Sequence, residues 1–341
     1  MENRFVALGD FSVSFSPAGY KRFFQAEAMD ISYTSAESNV CASLAMLGTK
    51  TRFVTKLPEN EIARSALGSL HHFGIDTSNI VFGGERMGVI YTEKGASQRP
   101  SKVVYDRKHT SFSCARESDF DWESIFKDAV WFHFTGITVA LSDETAQLCK
   151  RACIEAHKRK ITVSCDLNYR KKLWSEEKAQ KVMSDLIKHV DVVIGNEEDA
   201  QKVLGISQNN SSVILGKLDN SEYAETAQKI INQYGVSKVA FTMRKSITAS
   251  DNDWSAMLYD SGKAYFSREY HMHIVNRVGG GDSFAAGLIY ALMHDYDAQK
   301  TIEFATAASC LKHTIELDVN LSTMEEVVTL MNGDGSGRVQ R

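Results

Sequence analysis

The sequence predicts an α/β fold with a mainly parallel central sheet and helices on both of its faces. Short apolar runs rich in Val and Ile recur along the chain, and segments with helical spacing of apolar residues lie between them. Buried parallel strands are continuous apolar runs, and strands that alternate with helices build βαβ units. Only three prolines occur in 341 residues, and no linker or repeat interrupts the pattern.

The individual elements follow from these patterns. Strands are expected at 4–9, 129–136, 161–168, 190–196 and 238–243, and helices at 143–160, 176–190 and 221–235. Ligands of open α/β sheets bind at the carboxyl ends of the strands. Four polar residues stand at such ends and are therefore candidates for function: Asp166, Asn168, Asn196 and Thr242.

Two segments, 11–35 and 86–113, depart from the alternation. Both are richer in aromatic residues, Ser and Thr, and the second has the pattern of a hairpin with a polar connection. Strands inserted into an α/β core can form a small lid over the site; a peripheral sheet without a role is the alternative. The C-terminal stretch 332–341 is expected to be disordered.

Composition argues against several kinds of partner. The formal net charge of -4 gives no electrostatic reason to bind nucleic acid or an anionic membrane. No apolar run approaches the roughly 20 residues of a membrane span, and the N-terminal stretch is not expected to be a secretory signal. The six cysteines include no C-x-x-C pair, so we expect a reduced, cytoplasmic protein.

The segment NRVGGGDSFAAGLIY, residues 276–290, contains the strongest candidate site. Ordering a glycine costs conformational entropy, so Gly279, Gly280 and Gly281 must be needed for the conformation of the backbone. They lead into a helical pattern that puts Asp282 in the first turn. Backbone N–H groups at a helix N-terminus bind anions, and a carboxylate beside them can accept a proton from an attacking hydroxyl. A tight turn followed by a structural first-turn acid is the alternative.

Other motifs for nucleotide, metal or acyl chemistry are absent from the sequence. There is no G-x-x-x-x-G-K-[ST] loop, no G-x-G-x-x-G after the first strand and no H-E-x-x-H. There is also no G-x-S-x-G. If the chain handles a nucleotide, it must use residues 279–282.

The stretch GGGDSFAAGLIYAL resembles the signature of the ribokinase-like (PfkB) carbohydrate kinases, and other motifs follow in the family's order. AESNVCASLAMLG (36–48) resembles the sugar-binding motif. IGNEEDAQKVLG (194–205) resembles the region that places magnesium and phosphate, and FATAASCLKHT (304–314) resembles the helix that borders adenine. The resemblance implies one kinase domain over residues 1–331, with a three-layer α/β/α core, a small β lid, and ATP and Mg²⁺ as cofactors.

The resemblance also implies roles for individual residues. Asp282 would be the catalytic base, and Gly279, Gly280 and Gly281 would form the anion hole. The nucleotide would be contacted by Asn168, Asn196, Thr242, Arg244 and Ala308. Mg²⁺ would be held by Asn196 and Asp199 through water.

Within the family, stretches 96–107, 166–174 and 249–260 are similar to those of 2-keto-3-deoxygluconate kinases. Arg107 and Arg170 suit a sugar acid because a guanidinium binds a carboxylate bidentately; surface ion pairing is the alternative. Tyr91 and Tyr105 offer ring faces and hydroxyls. The resemblance adds Ser35, Asn39 and Asp318 to the substrate contacts.

Several residues depart from the family pattern. Thr34 and Ser35 stand where the early motif has glycines, and their side chains would narrow the sugar pocket. Asn276 replaces an aspartate that helps to bind a monovalent cation, which leaves activation by potassium open. Asp199 replaces a glutamate, and Cys41 replaces a smaller residue.

Together these residues predict transfer of the γ-phosphoryl group of ATP to a primary hydroxyl of a sugar acid, with 2-keto-3-deoxygluconate as the first candidate. The alternatives are a kinase for another sugar such as fructose, a sugar-acid sensor without activity, and a dinucleotide-dependent dehydrogenase. The missing early glycine fingerprint argues against the last of these. Lids of this family often pair between subunits, so the resemblance also implies a homo-oligomer.

Overall fold

Strands and helices alternate along the chain as the apolar pattern predicts. The computed structural model describes residues 3–206 and 219–337. In order, the strands of this part of the chain are β1 (Arg4–Leu8), β2 (Ser12–Ser16), β3 (Asp30–Thr34), β4 (Lys50–Val54), β5 (Lys56–Leu57), β6 (Val81–Phe82), β7 (Gly88–Glu93), β8 (Lys102–Asp106), β9 (Ala129–Thr135), β10 (Thr162–Asp166), β11 (Val192–Gly195), β12 (Lys238–Ser246), β13 (Asp251–Asp260), β14 (Lys263–Phe266) and β15 (Tyr270–His273). The helices are α1 (Ala36–Met46), α2 (Glu61–His72), α3 (Trp122–Ile125), α4 (Gly136–Ala140), α5 (Asp143–Lys158), α6 (Glu176–Leu186), α7 (Glu197–Leu204), α8 (Asn220–Tyr234), α9 (Gly280–Met293), α10 (Ala298–Lys312) and α11 (Met324–Met331).

The central sheet is mainly parallel. Within the described residues its order is β14-β13-β12-β11-β10-β9-β1-β4, and β15 also pairs with β13. The six strands from β12 to β4 run parallel, whereas β13, β14 and β15 form an antiparallel edge. The five predicted strands are confirmed as β1, β9, β10, β11 and β12, and the three predicted helices as α5, α6 and α8.

Both faces of this sheet are covered by helices. Along β1, Phe5 and Ala7 belong to the core formed with α1, α2, α9 and α10. Val6 and Leu8 belong to the core formed with α5, α6, α7 and α8. Each of the four side chains is at most 1% exposed, which is why the strand is a continuous apolar run rather than an alternating one. The predicted three-layer α/β/α arrangement is confirmed.

The two inserted segments form a second, four-stranded sheet. Its order is β3-β2-β7-β8. Strands β7 and β8 form the predicted antiparallel hairpin, and β2 pairs with β3 antiparallel and with β7 parallel. One face of this sheet covers the carboxyl ends of the central strands, so we call it the lid. The structure therefore confirms the small β lid.

Two further expectations concern the membrane and the C-terminus. None of the described helices has the length and apolar character needed to cross a membrane. Residues 332–337 are exposed and outside helices and strands. Residues 338–341 lie outside the described part of the chain, so the disorder of 332–341 stays a prediction.

Candidate active site

A cavity of about 530 Å³ lies between the lid and the carboxyl ends of the parallel strands. Most of the predicted site residues line it. These are Ser35, Asn39, Tyr105, Arg107, Asn168, Arg170, Asn196, Asp199, Thr242, Arg244, Gly279, Gly281, Asp282 and Asp318. The fold thus gathers the candidates for catalysis, substrate binding and nucleotide binding around one cavity.

Helix α9 begins in the wall of this cavity. Gly279 is its N-cap with a φ of 82°, a left-handed conformation that favours glycine. A Cβ at Gly279 would also lie 1.8 Å from the backbone oxygen of Asp318, whereas a Cβ at Gly281 would meet nothing within 4 Å. Because a helix N-terminus carries unpaired N–H groups and about half a positive charge, this segment has the geometry that an anion hole requires.

Asp282, in the first turn of α9, is held by a directed hydrogen bond. Asn39 Nδ2 donates to Asp282 Oδ2 over 2.8 Å, and Thr34 Oγ1 donates to Asn39 Oδ1 over 3.3 Å. Burial raises the pKa of Asp282 from 3.8 to about 7, although the Asn39 hydrogen bond lowers it, and the charge of Asp318 raises it further. A carboxyl group with a pKa near neutral pH is suited to accept a proton.

The start of α1 explains why Asn39 can reach Asp282. Ser35 Oγ accepts from Ser38 N at 3.0 Å and Ser38 Oγ accepts from Ser35 N at 2.9 Å, a reciprocal cap that fixes the first turn. Thr34, just before it, also lowers the pKa of Asp318. Thr34 and Ser35 line the cavity as expected, and their hydroxyls serve the framework around Asp282.

The lid contributes Tyr105 and Arg107. The guanidinium carbon of Arg107 lies 4.8 Å from the centre of the Tyr105 ring, a cation–π geometry. Arg107 Nε is 3.8 Å from Asp10 Oδ2, and the two side chains are 9% and 5% exposed. Ser12 Oγ donates to the same Asp10 oxygen over 2.9 Å. Arg107 is therefore held in the cavity wall, which argues against a surface ion pair. Asp10 was not predicted as a residue of the site.

Arg170 and three carboxyl groups form a charged region at the strand ends. The Arg170 charge lowers the pKa of Asp166, Asp199 and Asp282. Burial is the larger effect and raises the pKa of Asp199 to about 6. It also raises the pKa of Asp166, with a further contribution from the charge of Asp199. Carboxylates that are buried and repel each other are stabilised by a bound cation.

The oxygen donors available to Mg²⁺ in this region are the carboxylates of Asp166 and Asp199 and the amide oxygen of Asn196. Mg²⁺ is usually held by one or two carboxylates, water and substrate phosphates. Across residues 3–206 and 219–337, no group of three or more His, Cys, Asp or Glu could hold a metal ion by itself. Each of these groups also accepts a backbone hydrogen bond: Asn196 Oδ1 from Asp199 N over 2.9 Å as the N-cap of α7, Asp166 Oδ1 from Asn168 N over 3.1 Å, and Asp199 Oδ1 from Tyr169 N over 2.9 Å.

Two arginines line the part of the cavity beside β12. Arg277 Nη2 donates to Ala249 O over 3.1 Å. Burial lowers the pKa of Arg277, and the positive charge of Arg244 lowers it further. Two guanidinium groups that repel each other form a site for a multiply charged anion. Thr242, which also lines the cavity, donates to Gly195 O over 3.4 Å. Arg277 was not predicted.

The same end of the cavity has an aromatic wall. The His313 and Trp254 ring centres are 5.1 Å apart. Burial lowers the pKa of His313 to about 4, so the imidazole is neutral at pH 7, and its Nδ1 donates to Ser309 O over 2.7 Å. Neither residue was predicted to contact a ligand, although His313 lies in the stretch 304–314 and Trp254 in the stretch 249–260.

The prediction that Tyr91 contacts the substrate is wrong, because Tyr91 faces away from the cavity. Alternate residues of β7, Ile90 and Thr92, line the cavity. Tyr91 therefore lies on the opposite face of the lid, where its ring stacks on Phe15 at 5.6 Å.

Ala308 and Gly280 are not brought to the cavity surface either. Ala308 is buried where α10 packs on α9, and its backbone oxygen accepts from Ser283 Oγ over 3.0 Å. Gly280 lies behind the cavity wall, where a Cβ would come within 2.4 Å of the His313 ring. Small residues are needed at both positions for close packing.

Glu37 is a further buried acid near the site, and it was not predicted from the sequence. Its Oε1 accepts from the hydroxyls of Thr135 and Thr138 at 2.7 and 2.6 Å, which joins α1 to β9 and α4. Its negative charge raises the pKa of Asp282. A single acid in a mostly apolar helix gives no signal of these long-range contacts.

Comparison with known proteins agrees with this arrangement. The profile of the pfkB family carbohydrate kinases matches residues 24–316, and the chain belongs to this family. This confirms the expected fold and the expected class of enzyme, a carbohydrate kinase, and it supports ATP as the phosphoryl donor.

The matches to individual relatives cover nearly the whole chain. A crystal structure of 2-dehydro-3-deoxygluconokinase from Thermotoga maritima is 46% identical, with a TM-score of 0.93 and coverage of 98% of this chain and 99% of that one. The 2-dehydro-3-deoxygalactonokinase of Haloferax volcanii is 25% identical over 99% of both chains. The 2-dehydro-3-deoxygluconokinase of Thermoproteus tenax is 24% identical over 90% of this chain and 87% of its own.

Proposed function

We propose that the protein transfers the γ-phosphoryl group of ATP to the primary hydroxyl of 2-keto-3-deoxygluconate. One observation carries the proposal. Asp282, a carboxyl group with a pKa of about 7 at the start of a helix, shares a cavity with Arg107 and Arg170. The cavity therefore offers a base, an anion site at the glycines and two cations for a carboxylate substrate.

In the proposed reaction, ionised Asp282 takes the proton of the attacking hydroxyl. The substrate oxygen forms a bond to the γ-phosphorus, and the bond from that phosphorus to the oxygen bridging to the β-phosphate breaks. The donors of the α9 N-terminus, with Gly279 and Gly281, stabilise the charge on the transferring group. Asn39 holds the Asp282 carboxylate in the orientation needed to receive the proton.

The charges of the cavity favour a sugar acid over a neutral sugar. Arg107 and Arg170 are suited to the substrate carboxylate, and Tyr105, Ser35 and Asp318 line the same region. The Thermotoga and Haloferax relatives bear the names of kinases for gluconate- and galactonate-derived acids, which differ in configuration at one carbon. Both epimers therefore belong in the test.

The nucleotide occupies the other end of the cavity in this proposal. Arg244 and Arg277 contact its phosphates, and the wall of Trp254 and His313 offers flat surfaces to the base. Thr242, Asn168 and Asn196 supply polar contacts. Asp166, Asp199 and Asn196 would hold Mg²⁺ through water, and the ion would neutralise charge on the phosphate oxygens.

The function is tested by ATP turnover with Mg²⁺. The substrates are 2-keto-3-deoxygluconate, its galacto epimer, fructose, ribose and a nucleoside, and wild type is compared with Asp282→Asn. We expect turnover of at least one of the two acids and a loss of several orders of magnitude in the variant. Turnover of fructose or ribose alone would refute the assignment of a sugar acid as substrate, but it would leave Asp282 as the proposed base. If no substrate turned over while a sugar acid raised the melting temperature, the protein would be a sensor.

We also propose that the outer face of the lid joins two copies of the chain. Ile31, Phe15, Tyr91 and Val104 are cross-strand neighbours in one row, and Ile31 and Val104 are 61% and 51% exposed. An apolar row across an exposed sheet suits a self-complementary contact. Light scattering should give a dimer for wild type and for Ile62→Thr, a surface control on α2, and a monomer for the double variant Ile31→Thr, Val104→Thr. A dimer in all three would refute the assignment.

A reduced, cytoplasmic location remains part of the proposal. All six cysteines are free thiols, and all but Cys114 are buried. Burial raises the pKa of the Cys41, Cys149 and Cys165 thiols well above the ordinary value, which makes them poor nucleophiles. Titration with a thiol reagent should label one cysteine in the native protein and six after unfolding.

A further inference from the structure

Lys312, the last residue of α10, is a buried lysine that the proposed reaction does not use. Its side chain is 0% exposed. Removing an ammonium group from water is costly unless partners compensate for the lost hydration. Burial lowers the pKa of Lys312 to about 8, so the group still carries its charge at pH 7. A charge kept at this cost calls for an explanation.

The ammonium group joins two loops that border the cavity. Lys312 Nζ donates to Asn276 O over 3.4 Å and to Ile315 O over 3.3 Å. The first carbonyl lies three residues before Gly279, and the second lies three residues before Asp318. No carboxylate of the described residues lies within the 4 Å of an ion pair. The partners of the ammonium are thus neutral carbonyl oxygens, as for a bound cation.

The lysine stem lies directly behind the proposed anion hole. A Cβ at Gly279 would come 3.2 Å from Lys312 Cε and 1.8 Å from Asp318 O. Asn276 is itself fixed, since its Oδ1 accepts from Val278 N over 3.0 Å. The Asn276–Gly279 loop therefore has little freedom while the ammonium group is in place.

We infer that Lys312 is a positioning residue that acts as a built-in cation, holding the loops before Gly279 and Asp318 together behind the anion hole. The inference rests on the proposed function, in which Asp282 is the base and the glycines bind phosphate. It also answers the question raised by Asn276. Because the ammonium group already binds the two carbonyls, the enzyme works without an added monovalent cation.

The charge of Lys312 also acts on the acids around it. Asp318, Asp282 and Glu316 raise its pKa, and Lys94 lowers it. By reciprocity the lysine lowers the pKa of Asp318 and that of Asp282. The lysine also lowers the pKa of His313, the next residue, which is neutral at pH 7. Removing the positive charge should therefore raise the pH at which Asp282 ionises.

The test compares Lys312→Met with Lys300→Met, the same change at an exposed position of α10. Met has a similar length but cannot donate to the two carbonyl oxygens, so we expect Lys312→Met to stay folded and to melt somewhat lower than wild type. We expect kcat to fall about tenfold or more with little change in KM, and the rising limb of the pH profile to move up by about half to one pH unit. Lys300→Met should match wild type in melting temperature, in kcat and in the pH profile.

A kcat and pH profile equal to wild type in Lys312→Met would overturn the inference. Loss of the folded state would overturn it too, because the lysine would then serve the fold rather than the site. The wild type should turn over equally in potassium and tetramethylammonium chloride; a requirement for potassium would contradict the built-in cation.

A second measurement separates this inference from the proposed function. The ionisation of Asp282 is followed by ¹³C NMR of aspartate carboxyl groups, with Asp282→Asn to assign the signal. If wild type turned over none of the substrates, the proposed function would fail, and the inference would still be judged by this titration. A higher pKa of Asp282 in Lys312→Met supports it, and an unchanged one refutes it.

Discussion

Replacing Asp282 with Asn should abolish activity and stabilise the protein at neutral and alkaline pH. The pKa of Asp282 is raised from 3.8 to about 7, so the folded state binds this proton more tightly than the unfolded chain does. Between these two pH values the native group is protonated and the unfolded group is ionised. Stability therefore falls as pH rises through this window, and above pH 7 the full penalty remains.

The size of the effect follows from the pKa difference. At 1.36 kcal/mol per pH unit, the difference corresponds to at most about 4 kcal/mol. Because the side chain is only half-buried at the cavity surface, solvent screening reduces the effect, and we expect ~2 kcal/mol. Asn cannot ionise, and its Oδ1 can still accept the hydrogen bond from Asn39. The variant should thus lack the penalty and keep the contact.

The assay is urea unfolding of wild type and Asp282→Asn from about pH 3 to about pH 9, a range that spans both pKa values. The difference in unfolding free energy should be near zero at the acid end and grow to its full value above neutral pH. Asp30→Asn, an exposed position of lid strand β3, is the matched control and should show no such trend. Parallel stability curves for wild type and Asp282→Asn would refute the assigned pKa and, with it, the argument for a base poised at neutral pH.

Five further substitutions test the remaining parts of the site. Gly281→Ala should change the free energy of unfolding by no more than about 0.5 kcal/mol but lower kcat about tenfold or more, because the methyl group enters the phosphate position. Gly279→Ala should lose at least about 1 kcal/mol of stability through backbone strain, which a melting curve would measure. Arg107→Met and Arg170→Met should each raise KM for the sugar acid about 10- to 100-fold, and an unchanged KM in initial-rate kinetics would remove that arginine from the substrate site. Thr34→Val should lower kcat several-fold with little effect on KM, because Asn39 loses the partner that orients its amide.

The strands that the sequence predicted share one physical property. Strands β1, β9, β10, β11 and β12 are buried on both faces and are therefore continuous apolar runs. Strand β4 (KTRFV) was not predicted, because Arg52 is buried there by contacts with distant residues. Arg52 Nε donates to Asp76 Oδ2 at 2.9 Å, and Nη1 donates to Ile125 O at 2.7 Å. A buried charge satisfied from far along the chain leaves no local pattern.

The site residues that were predicted differ from those that were not for the same reason. Asp282 and the glycines were predicted because their chemistry depends on neighbours in sequence, a loop followed by a helix start. Lys312 and Asp10 were not, because their roles depend on loops and strands that the fold brings together. Tyr91 was assigned wrongly for a related reason. Similarity to a family gives the residue type at a position, but the face of the sheet on which a strand residue lies depends on the pairing register. A shift of one residue in register moves every side chain of the strand to the opposite face.

The contacts around Thr34 join the lid to the base. Thr34 is the last residue of lid strand β3; its hydroxyl donates to Asn39 Oδ1, and it also lowers the pKa of Asp318. With Asn39 Oδ1 occupied by Thr34, the amide nitrogen is directed to Asp282. A sugar acid bound by Tyr105 and Arg107 engages the same lid sheet that carries Thr34. We therefore expect substrate binding and orientation of the base to be coupled: a displaced lid would release the Asn39 amide, and water that enters then meets a base no longer aligned to activate it.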